Sequence, residues 1–268
     1  MTETFKGTAF VTGASSGLGA IYADRLARRG YDLVLVARDQ ARMEALASRL
    51  HRDTGSRVVV LPADLTDTAQ IAHVAETIAA APDIALLVNN AGIALTGTLE
   101  TSSTDEVSRL VMLNVLAPTL LAKAALQAFK ARKAGAIINI ASVLALMPEA
   151  FDGTYSASKA FVLNLSQGLA QETQGSGIRI QAVLPGATRT EIWERSGKDV
   201  NAMPAEWVME ADDLVDAALV GFDRGETVTI PPLHDLADWN TMQAARQSLG
   251  TQLSRREVAP RYRAQAEV

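Results

Sequence analysis

Tyr155 and Lys159 stand four residues apart in the segment Thr154-Tyr155-Ser156-Ala157-Ser158-Lys159, and Ser142 lies one short loop upstream. On a helix this spacing brings the phenol and the ammonium to one face, with Cβ atoms about 5–6 Å apart. A free tyrosine, with a pKa of about 10, is a poor acid or base at neutral pH. A neighbouring cation favours the phenolate and lowers that value. To work near pH 7 the phenol needs a shift of about 3 units, or roughly 4 kcal/mol of differential stabilisation. A lysine partly desolvated beneath a cationic ring supplies much of it. The same pair on an open helix face would do no chemistry, so the surroundings decide.

The glycines come next. Residues 8–12 (Thr-Ala-Phe-Val-Thr) form a short buried strand pattern, followed by Gly13-Ala14-Ser15-Ser16-Gly17-Leu18-Gly19. A helical pattern then places Ile21, Leu26 and Ala27 on one side and Arg25, Arg28 and Arg29 on the other. A strand, a glycine-rich turn and a helix N-terminus make a cradle for a diphosphate. Glycines let the backbone approach, and the unpaired N–H groups and helix dipole favour anions. The spacing is G-x-x-x-G-x-G, not G-x-G-x-x-G.

The elements that must hold these residues alternate. Apolar runs at 33–37, 58–61, 84–88, 136–140, 178–184 and 227–230 are separated by amphipathic stretches near 39–54, 67–81, 104–133, 153–174 and 211–223. This β-α-β rhythm predicts a parallel sheet of about seven strands covered by helices on both faces. Ligands of such sheets bind beyond the carboxyl ends of the strands, at the switch point. The chemistry-bearing residues all follow strands directly or sit on the next helix. Residues 1–231 are expected to form one domain, with 232–268 as an extension packed on it or at a subunit interface.

With 268 residues and 48% apolar content, the chain can bury a full core. Its net charge of −5 argues against nucleic-acid binding. Without cysteine it has neither disulfides nor a thiolate metal site. The first strand begins almost at the N-terminus, leaving no room for a signal peptide, and no uninterrupted apolar run approaches a membrane span. A soluble cytoplasmic protein is expected.

From about Lys6 to about Pro231 the chain resembles the short-chain dehydrogenase/reductase family. The motifs fall in the family's order: Thr12 through Gly19, Asp64, Asn89-Asn90-Ala91-Gly92, Asn114, Ser142, Tyr155 with Lys159, and Pro185-Gly186 through Thr190. The resemblance implies a Rossmann-type doubly wound sheet and an NADP(H)-dependent oxidoreductase that interconverts a carbonyl compound and a secondary alcohol. Tyr155 would transfer the proton and Ser142 would polarise the oxygen. Lys159 would lower the tyrosine pKa and bind the nicotinamide ribose. Asn114 would hold a water that links Lys159 to solvent; the alternative is a satisfied amide in a helix interface. No metal is required.

By the same resemblance the cofactor would lie along Gly13, Ser15, Ser16, Gly17, Leu18, Gly19, Asp64, Leu65, Asn90, Ala91 and Gly92. Pro185, Gly186, Thr188 and Thr190 would hold the carboxamide. Arg38 offers a forked cation to a 2′-phosphate and so favours NADP over NAD. The family's NAD-type acid falls where this chain has Ala37, although Asp39 lies next door. Asp64 would meet the adenine or serve as a helix cap, and the Asn89-Asn90 amides would also tie strands together. Residues 191–210 form a loop-like lid with Trp193, Met203, Trp207 and Met209. With Leu95, Leu144, Leu146 and Met147 they suit a substrate with an apolar body, while Glu149, Glu191 and Arg195 are placed to read a polar substituent.

A homodimer or homotetramer is expected, because 104–133 and 153–174 carry more apolar residues (Ala122, Ala124, Ala125, Phe129, Phe161, Leu165, Leu169) than one face on a sheet should need. The rival reading is a non-catalytic NADP(H)-sensing or structural protein of the same fold. It would be expected to have lost Ser142, Tyr155 or Lys159, and none is lost. A nucleotide-sugar epimerase would carry a larger second region.

Overall fold

The computed structural model describes residues 6–263, and the chain divides into two units at Pro232/Leu233. The first unit runs β1 (Thr8–Thr12), α1 (Gly17–Arg28), β2 (Asp32–Ala37), α2 (Gln40–Thr54), β3 (Val58–Pro62), α3 (Thr68–Ala80) and β4 (Ile84–Asn89). It continues with α4 (Thr104–Val111), α5 (Ala117–Arg132), β5 (Gly135–Ile140), α6 (Gly153–Glu172), β6 (Ile178–Val183), α7 (Ile192–Arg195), α8 (Ala211–Asp223) and β7 (Val228–Thr229). The sheet order is β3-β2-β1-β4-β5-β6-β7 and every pairing is parallel. The chain winds outward from β1 in one direction and then, from β4, in the other. That reversal opens a crevice between β1 and β4 at their carboxyl ends.

Alternation along the strands divides the core in two. Ala9, Val11, Leu33, Leu35, Leu86 and Val88 face a layer that includes Tyr22 and Leu26 of α1, Met43 and Leu50 of α2, and Leu214 and Phe222 of α8. Phe10, Val34, Val36, Leu87 and Ile137 face the other layer, with Ile71 and Ile78 of α3, Leu121 and Phe129 of α5, and Leu169 of α6. Both faces are covered, so each central strand reads as a continuous apolar run. Asp24, buried on α1, accepts from Arg28 and from Arg49 of α2 and so joins those helices.

The long segment near 104–133 departs from its expected regularity. Ser103 and Glu106 cap α4 reciprocally, Ser103 N–H donating to Glu106 Oε2 at 2.8 Å and Glu106 N–H to Ser103 Oγ at 3.2 Å. A π-turn over Met112–Leu116 then joins α4 to α5. Thr104–Arg132 is long and apolar enough, by length and composition alone, to cross a membrane. It is not an uninterrupted apolar run, since Asn114, Thr119, Lys123 and Gln127 break it, but its mean hydropathy is that of a span. Runs of alanine and leucine broken by single polar residues hide the length, and Leu121, Ala122, Ala125 and Phe129 go to the sheet.

Segment 191–210 is also more ordered than a loop: α7 is followed by 3-10 turns at Val200–Ala202 and Ala205–Trp207. Met209 is no part of the lid's apolar surface, since it packs on the core and bridges to Thr188. In the second unit, α9 (Leu236–Ser248) is followed by 3-10 turns at Gly250–Gln252 and Pro260–Tyr262, and none of its described residues is buried.

Candidate active site

The crevice is held by Thr12, the last residue of β1. Its hydroxyl donates to Val88 O at 3.3 Å and accepts from the N–H groups of Asn90 and Ala91, both at 3.0 Å. Asn90 Nδ2 returns a bond to Thr12 O at 2.9 Å. On the far side of β4, Asn89 Nδ2 donates to Asn139 Oδ1 at 2.9 Å, and Asn139 passes a bond to Ser166 on α6. The Asn89 and Asn90 amides therefore tie three strands and a helix around the crevice.

The turn after β1 has Gly13 at φ +66° and Gly17 at φ +52°, left-handed values that favour glycine. Gly19 packs so tightly that a Cβ would strike Gly13 O and come within 2.6 Å of Asn90 Nδ2. Leu18 and Ser15 are half-buried beside it. At the α1 N-terminus, the cap residue Ser16 makes no side-chain cap bond and the first turn carries no acid. Its N–H groups and dipole are thus left for an anion, the donor set that a dinucleotide's diphosphate needs.

Arg38, just past β2, is exposed, and no carboxylate among the described residues forms an ion pair with it. Asp64 follows β3 and accepts from Thr66 N–H at 2.9 Å and Thr66 Oγ at 2.8 Å. Burial pushes its carboxyl up, but those bonds and the Arg38 charge outweigh it and hold it below the usual range. The cap of α3 is Asp67, not Asp64. Leu65 is buried next door.

Ser142, Tyr155 and Lys159 meet in a cleft of about 410 Å³ that also reaches Gly13, Ser16, Gly17, Asn90, Gly92, Pro185, Gly186, Thr188 and Thr190. Ser142 follows β5; its Oγ accepts from Leu144 N–H at 3.1 Å, and the hydroxyl works on the Tyr155 phenol to lower its pKa. Asp152 caps α6 by accepting from the N–H groups of Thr154 and Tyr155, which fixes the helix start and the phenol with it. One turn on, the buried Lys159 donates to Ile140 O at 2.9 Å, with its ammonium 5.6 Å from the Tyr155 ring centroid. Gly92 faces this group, and a Cβ there would come within 3.4 Å of Lys159 Nζ and 3.3 Å of Asn114 Oδ1.

Asn114 lies behind Gly92 in the π-turn, outside the cleft lining. Its Oδ1 accepts from Ile93 N–H at 2.9 Å, and its Nδ2 donates to Ile93 O at 2.8 Å and Ser158 Oγ at 3.1 Å. Ser158 in turn donates to Tyr155 O at 2.7 Å.

The titration of the pair differs from the expectation. Burial pushes the Tyr155 phenol up to about 12, against a lowering bond with Ser142. Burial also brings Lys159 down to about 8. Burial among the chain's own groups therefore keeps the phenol protonated at neutral pH.

The lid is apolar, though not with every expected residue. Leu144, Trp193, Met203 and Trp207 line the cleft, together with Ala94, Phe151 and Ile192, which the sequence did not single out. Leu95 is buried in the protein, and Leu146, Met147 and Glu149 point away from the lining. Phe151 stacks edge-on against Tyr155 (5.8 Å) and Trp193 (6.4 Å), and Lys198 Nζ sits 3.5 Å from its ring centroid. Phe151 directly precedes the α6 cap, a position that a search for polar chemistry passes over. Trp193 Nε1 donates to Thr188 O at 2.8 Å, pinning α7 to the loop after β6.

A parallel doubly wound sheet with a glycine turn at its switch point and a Ser-Tyr-Lys cleft defines a nucleotide-dependent oxidoreductase. The chain belongs to the short-chain dehydrogenase family, whose model matches residues 7–201. A short-chain dehydrogenase from Sphingobium yanoikuyae, solved in complex with NADPH, is 52% identical with a TM-score of 0.93, over 96% of this chain and 100% of that one. The bulky-bulky ketone specific alcohol dehydrogenase from Comamonas testosteroni is 47% identical with a TM-score of 0.89, over 97% and 99%. The 17-beta-hydroxysteroid dehydrogenase type 3 of Homo sapiens is 34% identical over 207 residues; the match takes in 76% of this chain and 66% of that protein's length.

The buried lysine makes stability depend on pH in a defined direction. Between about pH 8 and 10.5 the folded chain has released the Lys159 proton while the unfolded chain keeps it, so stability rises with pH across that window. The penalty is full below about pH 8 and amounts to roughly 3 kcal/mol. Denaturant melts at pH 7.5 and 9, ahead of the tyrosine titration near 10, should show this rise flattened in Lys159→Met. The same pH slope in parent and variant would contradict the burial of a charged amine.

Proposed function

We propose that the chain is an NADPH-dependent reductase of ketones with an apolar body, and the dehydrogenase of the matching secondary alcohols, acting through Ser142, Tyr155, Lys159 and Asn114. The observation that carries this is one cleft in which Ser142, Tyr155 and the buried Lys159 adjoin a glycine turn at a helix N-terminus with no side-chain cap. The substrate oxygen accepts from Ser142 Oγ and the Tyr155 phenol, the two hydroxyls that converge there. The bound dinucleotide supplies hydride to the carbonyl carbon. Tyr155, kept protonated by burial, donates its proton as negative charge grows on that oxygen. Ser142 holds the oxygen in place, an oxyanion-type role. Lys159, whose ammonium faces the ring, stabilises the phenolate left behind and binds the nicotinamide ribose. Both amide hydrogens of Asn114 are committed to Ile93 O and Ser158 Oγ, so a relay water there donates to the second lone pair of Oδ1.

For the cofactor, the diphosphate lies on residues 13–19. Arg38 would bind the 2′-phosphate with a guanidinium that no carboxylate among the described residues claims, and Ser15 would add a hydroxyl. Asp64, Leu65, Asn90, Ala91 and Gly92 border the adenine and ribose, and Pro185, Gly186, Thr188 and Thr190 hold the carboxamide. For the substrate, Leu144, Phe151, Trp193, Met203 and Trp207 make a wall with few polar groups, which suits a bulky apolar ketone. The ketone-specific and hydroxysteroid relatives support this class.

The chain is also proposed to be cytoplasmic and a homodimer or homotetramer, on narrower grounds than the composition suggested. Ala122, Ala124, Ala125, Phe129 and Leu169 are buried in the chain's own core, so they leave no excess for a partner. Val111 of α4 and Phe161 of α6 stay exposed, and in the second unit Leu236, Leu249, Leu253 and Tyr262 are exposed, which suits residues 232–268 to an interface.

Three measurements test these points. With NADPH, the parent should show a higher kcat/KM for a bulky aryl ketone than for a polyol or sugar of similar size, and Tyr155→Phe should lower kcat by at least ~10²-fold while still binding NADPH. A Phe variant with near-normal turnover would remove Tyr155 from the mechanism, and preference for the sugar would remove the apolar substrate. Arg38→Ala should weaken NADPH far more than NADH; equal losses would mean that Arg38 does not read the 2′-phosphate. Light scattering on protein purified without detergent should give two or four times the chain mass, and a monomer at micromolar concentration would count against assembly.

A further inference from the structure

Arg195, at the end of α7, reaches back across the cleft to the glycine turn. Its Nη2 lies 3.2 Å from Ser16 Oγ, the N-cap of α1, where the helix N–H groups have no side-chain cap. The same guanidinium pairs with Glu191 one turn earlier. Glu191 is itself shared: Arg42, in the first turn of α2, donates Nη1 to both its carboxylate oxygens at 3.0 Å. A Cβ on Gly17 would lie 3.5 Å from the Thr190 Cβ, so the start of this segment rests directly on the turn.

We propose that Arg195 is a diphosphate-binding residue of the cofactor site, held over the glycine turn by Glu191 and handed to the diphosphate when the dinucleotide binds. This rests on the NADPH reading above. Arg42 also reaches Asp39 at 3.5 Å, whereas Arg195 has, among the described residues, only its share of Glu191, beside a helix N-terminus with no acid in its first turn. A diphosphate supplies negative charge there, and a forked guanidinium takes two of its oxygens at once. All three side chains of the Arg42–Glu191–Arg195 chain are more than one-third exposed, and such ion pairs contribute little, so releasing Arg195 to a phosphate costs little.

The test is NADPH binding measured by fluorescence titration without substrate, on the parent, Arg195→Ala and Glu191→Gln, with two competitors. Arg195→Ala should raise the Kd for NADPH about 10-fold, the scale of one lost charge-assisted hydrogen bond pair. It should weaken 2′-phospho-ADP-ribose, which carries the diphosphate, to the same extent, and leave adenosine 2′-monophosphate, which lacks it, unchanged. Glu191→Gln frees Arg195 and should leave NADPH binding unchanged or tighter. If both variants weaken NADPH alike, Arg195 is only a strut of the ion-pair chain and the proposal falls. It also falls if adenosine 2′-monophosphate weakens as much as NADPH, or if Arg195→Ala alters substrate KM alone. A parent that binds no NADPH would instead overturn the cofactor reading.

Discussion

The seam between β1 and β4 is the constraint on which the rest of the site depends. No crossover helix joins these strands directly, so their carboxyl ends would be free to gape where the winding reverses. Thr12 closes them: one hydroxyl donates to β4 and takes two N–H groups of the following loop, while Asn90 bonds back to the Thr12 carbonyl. Gly19 then packs against Gly13 and Asn90 with no room for a side chain, which seats the N-terminus of α1 on the seam. The bonds are buried or nearly so, and a lost partner there would leave polar groups with no water to replace it. A diphosphate cradle needs N–H groups aimed at one point. The seam supplies that aim, and glycine alone would not.

The second cost carried by the fold is the buried ammonium of Lys159. Its carbonyl partner, Ile140 O, lies at the end of β5, and its neighbours Gly92 and Asn114 come from the loop after β4 and the π-turn. A regular helix through 104–132 would turn Asn114 away from Ile93, because one inserted residue rotates everything before it by about 100°. The irregularity therefore serves position. It puts an amide with three satisfied bonds against the back of the lysine site, and Ser158 carries the contact on to the backbone of Tyr155. The phenol and the ammonium are thus set by bonds to their own helix and by its neighbours.

Much of this was legible in the sequence, for physical reasons. Strands buried on both faces are continuous apolar runs, and glycine or a short polar motif after each one marks a carboxyl end. The six strands after β1 consequently fell within a residue or so of their expected limits, as in 58–61 against Val58–Pro62. What was not legible depends on long-range packing. The π-turn has no local signature, since Met112–Leu116 is as apolar as a helix should be. Leu95, Leu146 and Met147 have the right type for the cleft, and only the backbone path turns them aside. The helix alanines looked like surplus for a partner because composition does not reveal which faces the sheet has already covered. The upward push on the tyrosine was not legible because burial, which no spacing reports, sets it.

The phenol's protonation and the lid share one cause, which is the exclusion of water. Phe151 lies edge-on to Tyr155 and to Trp193, so the same ring that desolvates the phenol also seats the lid. Trp193 is tied to Thr188 O, in the loop that borders the cofactor end of the cleft. A polar substrate would have to leave its hydrogen-bonding groups against Phe151, Trp193 and Met203 without partners, which costs more than a missing apolar contact gains. On the proposed reading an apolar ketone would lose nothing there and would present its single oxygen to the Ser142 and Tyr155 hydroxyls. On that reading the wall that would select the substrate also keeps the phenol protonated, and a substitution that opens it to water should relax both together.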